Sequence, residues 1–305
     1  MVKLRSLSAT TKAVLQALAV TVLWSSSWVL IKLGLTTLPA LTFAGLRYTV
    51  AFLLLLPLLL PRKRRAELNA LTRRDWGLLA LLGLVYYTLT QGSQFLGLNY
   101  LPANTLSLML TLSGISIALA GRVFLGERLS ALQWAGVLVS IAGALVYFGD
   151  FAGLSTIGLS FGVLALAANT AGAVLGRAIN RTAAISPLLV TVVSMGVGSL
   201  VLLAAGVASE PFPQLSSGDL LIILWLAAVN TALAFTLWNL TLRTLSAAQS
   251  SMINNTMLIQ IAVLAWIFLG ERLSWLQIAG LLVAALGAAL VQASPRRIVE
   301  AELAG

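Results

Sequence analysis

The stretch LGERLS fills residues 125–130 and returns, letter for letter, at residues 269–274. In a chain with few charges, one charged hexapeptide written twice needs a reason. The match runs on: LGERLSALQWAGVLVSIAGALV from Leu125 and LGERLSWLQIAGLLVAALGAAL from Leu269 align without a gap and agree at 14 of 22 positions. Similarity at a fixed offset, here 144 residues, marks an internal repeat. Ser130 is followed three residues on by Gln133, and Ser274 by Gln277. That is the pattern of a capping box, whose side chains satisfy the orphan amides that open a helix. The hexapeptide therefore reads first as a tight turn with its own helix cap, ahead of a direct part in binding.

Composition says what is repeated. Of 305 residues, 59% are hydrophobic and 9% are charged, against about 25% charged in a soluble domain. A core surrounded by water cannot absorb so much apolar surface. A bilayer can, at about 20 apolar residues per spanning helix. With no cysteine there is no disulfide framework and no thiolate chemistry. The net charge of +10 sits in short loops beside apolar runs, so it reads as an orientation signal and not as a nucleic-acid surface. The opening MVKLRSLSATTK leads into an apolar run without a small-residue cleavage site, and reads as a cytoplasmic leader, not a cleaved signal.

Ten spans are expected, at about 13–34, 39–60, 76–98, 102–124, 130–149, 156–178, 186–207, 218–242, 246–268 and 274–293, parted by short polar or Pro- and Gly-bearing breaks. With the N-terminus inside, the inner loops hold 16 of the 19 basic residues, as the positive-inside rule requires. Lys32 and Arg272 fall outside and Arg47 within a span. Five spans per repeat is an odd number, so the second copy enters the membrane from the opposite side. Inverted repeats of this kind place a substrate site near the midplane between the halves, as in many secondary carriers. The expected fold class is an all-α polytopic membrane protein, with ten transmembrane helices as two inverted five-helix repeats.

LWSSSWVLIKLGL from Leu23, FAGLRYTVAFLLLL from Phe43, and the doubled LGERLS with Gln and Gly spaced through the next span resemble the EamA-type carriers of the drug/metabolite transporter superfamily. The resemblance runs from about residue 13 to 293. It implies a first repeat at 13–149, a second at 156–293 and a cytoplasmic tail at 294–305. It also implies a multi-pass protein of the bacterial inner membrane, with both termini cytoplasmic, that exports small metabolites by alternating access through a central cavity. Within the family the pattern is most similar to exporters of aromatic and other neutral amino acids.

The acidic residues are Glu67, Asp75, Glu127, Asp150, Glu210, Asp219, Glu271, Glu300 and Glu302, all in loops, at helix ends or in the tail. Proton relays in membranes usually use carboxylates or histidines within the spans. This chain has no histidine and no mid-span acid, so an uncoupled facilitator is expected. The same lack argues against an enzyme, a metal site or a cofactor.

Arg47 is the one charge well inside a span, and such a residue normally faces a cavity or a partner. Two readings stand side by side: an anchor near a substrate carboxylate, or a packing group bonded to neighbouring helices. Lys32 ends span one, where it snorkels to the interface or serves as a gate contact. Trp24 and Trp28 share a face of span one, with the small polar Ser25, Ser26 and Ser27 between them. They form either an aromatic cavity wall or packing glue. In span three Tyr87, Gln91 and Gln94 lie on one stripe, with Tyr86 about 100° away. At the 144-residue offset Tyr86 corresponds to Asn230 and Gln94 to Trp238. Asn230, Thr231, Trp238 and Asn239 in span eight, Asn254 and Asn255 in span nine, Ser107 and Thr111 in span four, and Asn169 in span six lie at corresponding depths. They read as cavity lining or as structural hydrogen bonds. The glycines Gly136 and Gly143, repeated as Gly280 and Gly287, line one helix face and allow close packing. By the resemblance those spans also support dimer contacts, so a monomer and a homodimer both stay open.

An aromatic, amide-rich cavity with few charges suits neutral or zwitterionic metabolites. The expected function is export of such metabolites, amino acids above all, with the bilayer as environment and no nucleic-acid partner. A nucleobase or drug-like efflux carrier, a channel-like pore and a non-transporting membrane scaffold remain as alternatives.

Overall fold

The computed structural model describes residues 9–125, 130–148, 154–181, 185–241, 244 and 247–293. All regular structure among them is helical. α1 covers Ala9–Gly34, α2 covers Ala40–Leu55 with a 3-10 extension Leu56–Leu59, and α3 covers Arg62–Asn69. α4 joins Arg73–Leu82, a π-segment Gly83–Thr90 and Gln91–Tyr100. α5 joins Ala103–Thr111 and Ser113–Leu125, and α6 is Ala131–Tyr147. In the second half α7 is Thr156–Arg181 and α8 is Pro187–Ser209. α9 joins Ser217–Ala227, a π-segment Ala228–Leu233 and Ala234–Thr241. α10 is Ala247–Leu269 and α11 is Trp275–Ala293.

Ten of these helices follow the ten spans expected from the sequence. The short α3 is an addition. It lies in the basic run, which has no apolar stripe to announce a helix, yet Arg, Lys, Ala, Glu and Leu are all good helix formers. Among the described residues four helical stretches are by length and composition able to cross a bilayer: Thr11–Gly34, Ala40–Leu59, Thr156–Gly176 and Pro187–Ser209. Shorter apolar pieces, among them Ala131–Tyr147 and Trp275–Leu290, make up much of the remaining spans.

Helix starts are chemically marked. Side chains of Ser130 and Gln133 form the expected capping box on α6. Ser274 and Gln277 form the same reciprocal pair on α11. Two further boxes, Thr72 with Asp75 on α4 and Ser216 with Asp219 on α9, recur at the same 144-residue offset. α10 stops at Gly270, whose φ of 67° is the left-handed value that favours glycine after a helix. Residues 126–129 of the first hexapeptide lie outside the described residues, as do residues 1–8 of the N-terminal leader and the tail from 294, while the rest of the leader, 9–12, opens α1.

The packing displays the inversion. In α2 and α8, a Cβ on Gly45 would strike the Leu203 backbone, one on Gly206 the Thr42 backbone, and one on Gly196 the Phe52 ring. Numbers rise along α2 as they fall along α8. α6 and α11 cross in the same way, with Gly143 against Gly280 and Ala284, and Gly287 against Ser140. Counterpart helices therefore run antiparallel and meet on one axis, the geometry of a two-fold lying in the membrane plane. The glycine stripe is used within the chain, as the seam between α6 and α11.

Two ends of the bundle follow from this topology. α1 closes at the Lys32 end and α2 at the Arg62 end.

Candidate functional site

The two π-segments occupy matching places in α4 and α9 and hold four polar or aromatic residues of interest: Tyr86 and Tyr87 in the first, Asn230 and Thr231 in the second. A π-turn widens the hydrogen-bond ladder and recurs at functional sites. Threonine hydroxyls take up the loosened carbonyls. Thr90 Oγ1 donates to Val85 O at 2.9 Å, and Thr231 Oγ1 to Leu226 O at 2.8 Å, each reaching five residues back.

On the α4 side the widened turn faces open space. A cavity of 560 Å³ lies among α1, α4, α5, α7, α8, α9 and α10. Its lining runs from Gly176 and Val190 on the Arg62 side to Trp28, Ser107 and Ile261 on the Lys32 side, beyond which Ile31, Leu101 and Ala265 are 1% exposed or less. Among the described residues, none that lines it is charged. One wall is aromatic, built from Trp28, Tyr86, Tyr87 and Phe235. Tyr86 and Tyr87 meet edge to face at 5.4 Å, and neither hydroxyl is hydrogen-bonded among the described residues.

A second part of the lining is polar in a particular sense. Ser107 Oγ donates to Asn104 O at 2.9 Å, Thr111 Oγ1 to Ser107 O at 2.9 Å, and Ser113 Oγ to Leu110 O at 2.6 Å. Ser194 Oγ donates to Val190 O. Each hydroxyl proton is used within its own helix, so these groups present lone pairs to the cavity. Asn169 Nδ2 likewise donates to Ser113 Oγ at 2.8 Å. This wall is rich in acceptors and suited to N–H donors, while the tyrosine hydroxyls of the same cavity have protons to give.

Of the residues singled out in the sequence, Trp28, Tyr86, Tyr87, Ser107, Thr111, Asn169 and Asn254 line this cavity. The others stand elsewhere. Trp24 packs on Phe235 and Trp238, with ring centroids 5.4 and 5.1 Å away, in the seam between α1 and α9. Ser27 Oγ donates to Trp24 O at 2.6 Å. Gln91 Oε1 accepts from Tyr48 at 2.7 Å and ties α4 to α2, and Gln94 is half-buried one turn further on. The side chains of Asn239 and Asn255 lie outside the described residues.

Arg47 and Asn230 occupy a second, closed place. Arg47 is 5% exposed. Its Nε donates to Thr231 Oγ1 at 3.3 Å, and its guanidinium lies over the Tyr48 ring, 5.0 Å from the centroid. Asn230 Nδ2 donates to Leu23 O, and to Ser26 Oγ at 3.1 Å. Arg47 stands eight residues past the cap Pro39 and Ser194 eight past the cap Ser186, so the two are counterparts. Tyr86 and Asn230 are counterparts too. The open cavity beside Tyr86 and Ser194 thus has a packed equivalent beside Asn230 and Arg47.

Lys32 does not snorkel. Its Nζ donates to Leu101 O at 2.7 Å and to Leu98 O, at the end of α4. Ser113, Thr191, Ser194 and Phe235 were not singled out in the sequence. Ser113, Thr191 and Ser194 offered only a small polar side chain at span depth, and Phe235 only one more aromatic ring in an apolar run.

The sequence pattern of the EamA-like transporter family matches residues 11–149 and again residues 156–293. The uncharacterized transporter YvbV of Bacillus subtilis is 28% identical over 291 residues, which is 92% of this chain and 91% of that one. A probable amino-acid metabolite efflux pump of Escherichia coli is 27% identical over 277 residues, 87% of this chain and 89% of that one. Over 138 residues, 44% of each chain, a probable terminal-alkyne amino-acid exporter of Streptantibioticus cattleyicolor is 33% identical. A solved crystal structure superposes with a TM-score of 0.66 at 19% identity, covering 92% of this chain and 96% of that one, a likeness of fold.

Proposed function

The chain belongs to the EamA-like transporter family, and on that premise we propose that it exports small zwitterionic or neutral metabolites, amino acids including aromatic ones, by alternating access. The observation that carries this reading is a cavity with one aromatic wall and one acceptor wall, whose lining among the described residues holds no charge. Its 560 Å³ falls within the range of about 300–1,000 Å³ usual for small-molecule sites. An α-ammonium would donate to the oxygens of Ser113, Ser194 and Asn169. An α-carboxylate would accept from Tyr86 and Tyr87, and an aromatic side chain would lie against Trp28 and Phe235. A phosphate ester would lack cations here, and a cationic drug would lack a carboxylate. The names of the Escherichia coli and Streptantibioticus relatives support the amino-acid reading.

The two-fold gives alternating access its form. One place, at Tyr86 and Ser194, is open; its counterpart, at Asn230 and Arg47, is packed. Rocking one half against the other would exchange the two, so Arg47 would line the cavity in the opposite-facing state. The excess of Lys and Arg around residues 62–74 assigns the Arg62 end to the cytoplasm, which makes this state inward-facing in a bacterial inner membrane. With no carboxylate lining the cavity among the described residues and no histidine in the sequence, transport would run down the substrate gradient without a proton.

Counterflow tests this. Proteoliposomes preloaded with unlabelled compound should accumulate labelled tryptophan, phenylalanine and threonine, saturably and without a pH gradient. Accumulation of uracil alone would replace the amino-acid reading with a nucleobase carrier, non-saturable flux would replace it with a pore, and no flux of any solute would leave a scaffold. A requirement for the pH gradient would overturn the uncoupled mechanism.

A further inference from the structure

The tip between α4 and α5 is gripped from both sides by opposite charges. Lys32, from α1, donates to Leu98 O and Leu101 O, among the last carbonyls of α4. Glu271, from the second copy of the repeated hexapeptide, accepts from Ala103 N at 2.7 Å and Asn104 N at 3.2 Å, the first amides of α5. These are the two groups a helix leaves unpaired at its ends. A cation on a C-terminus and an anion on an N-terminus each also oppose the helix dipole in the favourable sense. The hydrogen bonds are charge-assisted, the strong kind.

The tip is not comfortable in itself. Asn104 is 1% exposed, yet neither its Nδ2 nor its Oδ1 has a hydrogen-bond partner. A buried amide left unpaired disfavours the arrangement that contains it, so this packing depends on the grips around it. A second carboxylate from the same half acts alongside. Glu210 accepts from Leu41 N at 3.0 Å and Thr42 N at 2.8 Å, the first amides of α2. All of these contacts lie at the Lys32 end, where Leu101, Ala103, Asn104 and Ala265 are buried.

We propose that Lys32 and Glu271 are positioning residues for transport that lock the Lys32 end shut by holding the α4–α5 tip at its two helix ends. This rests on the alternating-access reading of the same cavity. The glutamate of the repeated hexapeptide is then neither a substrate ligand nor a mere turn residue. It is the anion that docks one half of the molecule onto the helix start of the other.

The absence of cysteine in the chain makes the test clean. Ala265 is fully buried, one turn beyond the cavity-lining Ile261 toward the Lys32 end. Thr191 lines the cavity near the Arg62 end. Ala265→Cys and Thr191→Cys, made singly, report on the two ends through their rates of reaction with a water-soluble maleimide. Glu271→Gln should raise the rate at the Ala265→Cys thiol about tenfold and lower that at the Thr191→Cys thiol. Lys32→Met should act in the same direction from the other helix end, and Glu271→Asp should restore much of the original pattern. A merely structural role would loosen both ends together, and that outcome would overturn the lock. If Glu271→Gln does not yield monodisperse protein, Lys32→Met carries the test alone. Labelling needs no substrate, so it is decided separately from counterflow. Opposite shifts at the two ends support the lock even if no amino acid exchanges, and unchanged rates overturn it even in an active carrier.

Discussion

Gly143 and Gly280 face each other where α6 crosses α11, and a Cβ built on either would lie 2.7 Å from the other's carbonyl oxygen. The backbones touch because neither residue has a side chain. Gly280→Leu should therefore part the two helices. Overpacking typically costs about 1–3 kcal/mol, and obstruction by backbone leaves little room to relax. The expected result is a clear fall in thermal midpoint in detergent, checked by tryptophan fluorescence. Gly77→Ala, where a Cβ would meet nothing within 4 Å, serves as the control that should not fall.

Tyr86→Phe separates the ring from the hydroxyl. The ring stays packed on Gly172, while the proton available to a carboxylate disappears. A hydrogen bond to a charged group is worth about 1.5–3 kcal/mol, so KM for amino acid in counterflow should rise about ten- to a hundredfold with the thermal midpoint unchanged. Asn169→Ala should act on the acceptor side of the cavity with a comparable rise.

Tyr48→Phe removes the 2.7 Å bond to Gln91 and leaves the amide oxygen of Gln91 without its donor. The cost is about 1–3 kcal/mol and should appear as lower stability, not as altered substrate preference, because neither residue lines the cavity. Asn104→Leu is expected to do the reverse. It deletes a buried amide that has no partner, and the thermal midpoint should stay level or rise.

Glu67 fixes the polar helix α3 to the bundle. It accepts from Ser186 Oγ at 2.8 Å, at the cap of α8, and pairs with Arg64 at 2.9 Å. The Ser186 hydroxyl first, and then the Arg64 guanidinium, hold its carboxyl below the ordinary carboxylate value. The native state thus favours the anion. This contribution is complete above the ordinary value and is lost as pH falls through the lowered one, below about pH 4. A spin label at Lys63→Cys should gain mobility in that acid range, and Glu67→Gln should show the mobile spectrum already at neutral pH.

Much of this architecture could be read from residue order alone, and the reasons differ by element. The spans declared themselves because lipid tolerates long apolar runs and little else. The repeat declared itself because the hexapeptide stayed intact in both copies. The capping boxes on α6 and α11 needed no more than a Ser and a Gln three residues apart. The cavity was half legible. Tyr86, Tyr87 and Asn169 stand out as polar or aromatic residues at span depth. Arg47 and Asn230 share that property but lie in the packed counterpart, and periodicity cannot tell which of two equivalent places is open. The partners of Lys32 and Glu271 were hidden for another reason. Both bind backbone groups, and backbone groups leave no mark in a sequence.

The paired π-segments also bear on ancestry. A π-turn is an α-helix carrying one residue more than its ladder needs, and removing it would turn everything beyond by about 100°. Such an insertion is awkward to acquire, because half a helix must find new neighbours at once. Here it sits at the same depth in α4 and in α9. One insertion that was later copied accounts for both more economically than two separate accidents. The irregularity is then older than the gene duplication that made the two halves, and the ancestral five-helix unit already carried it when it paired with an inverted copy of itself.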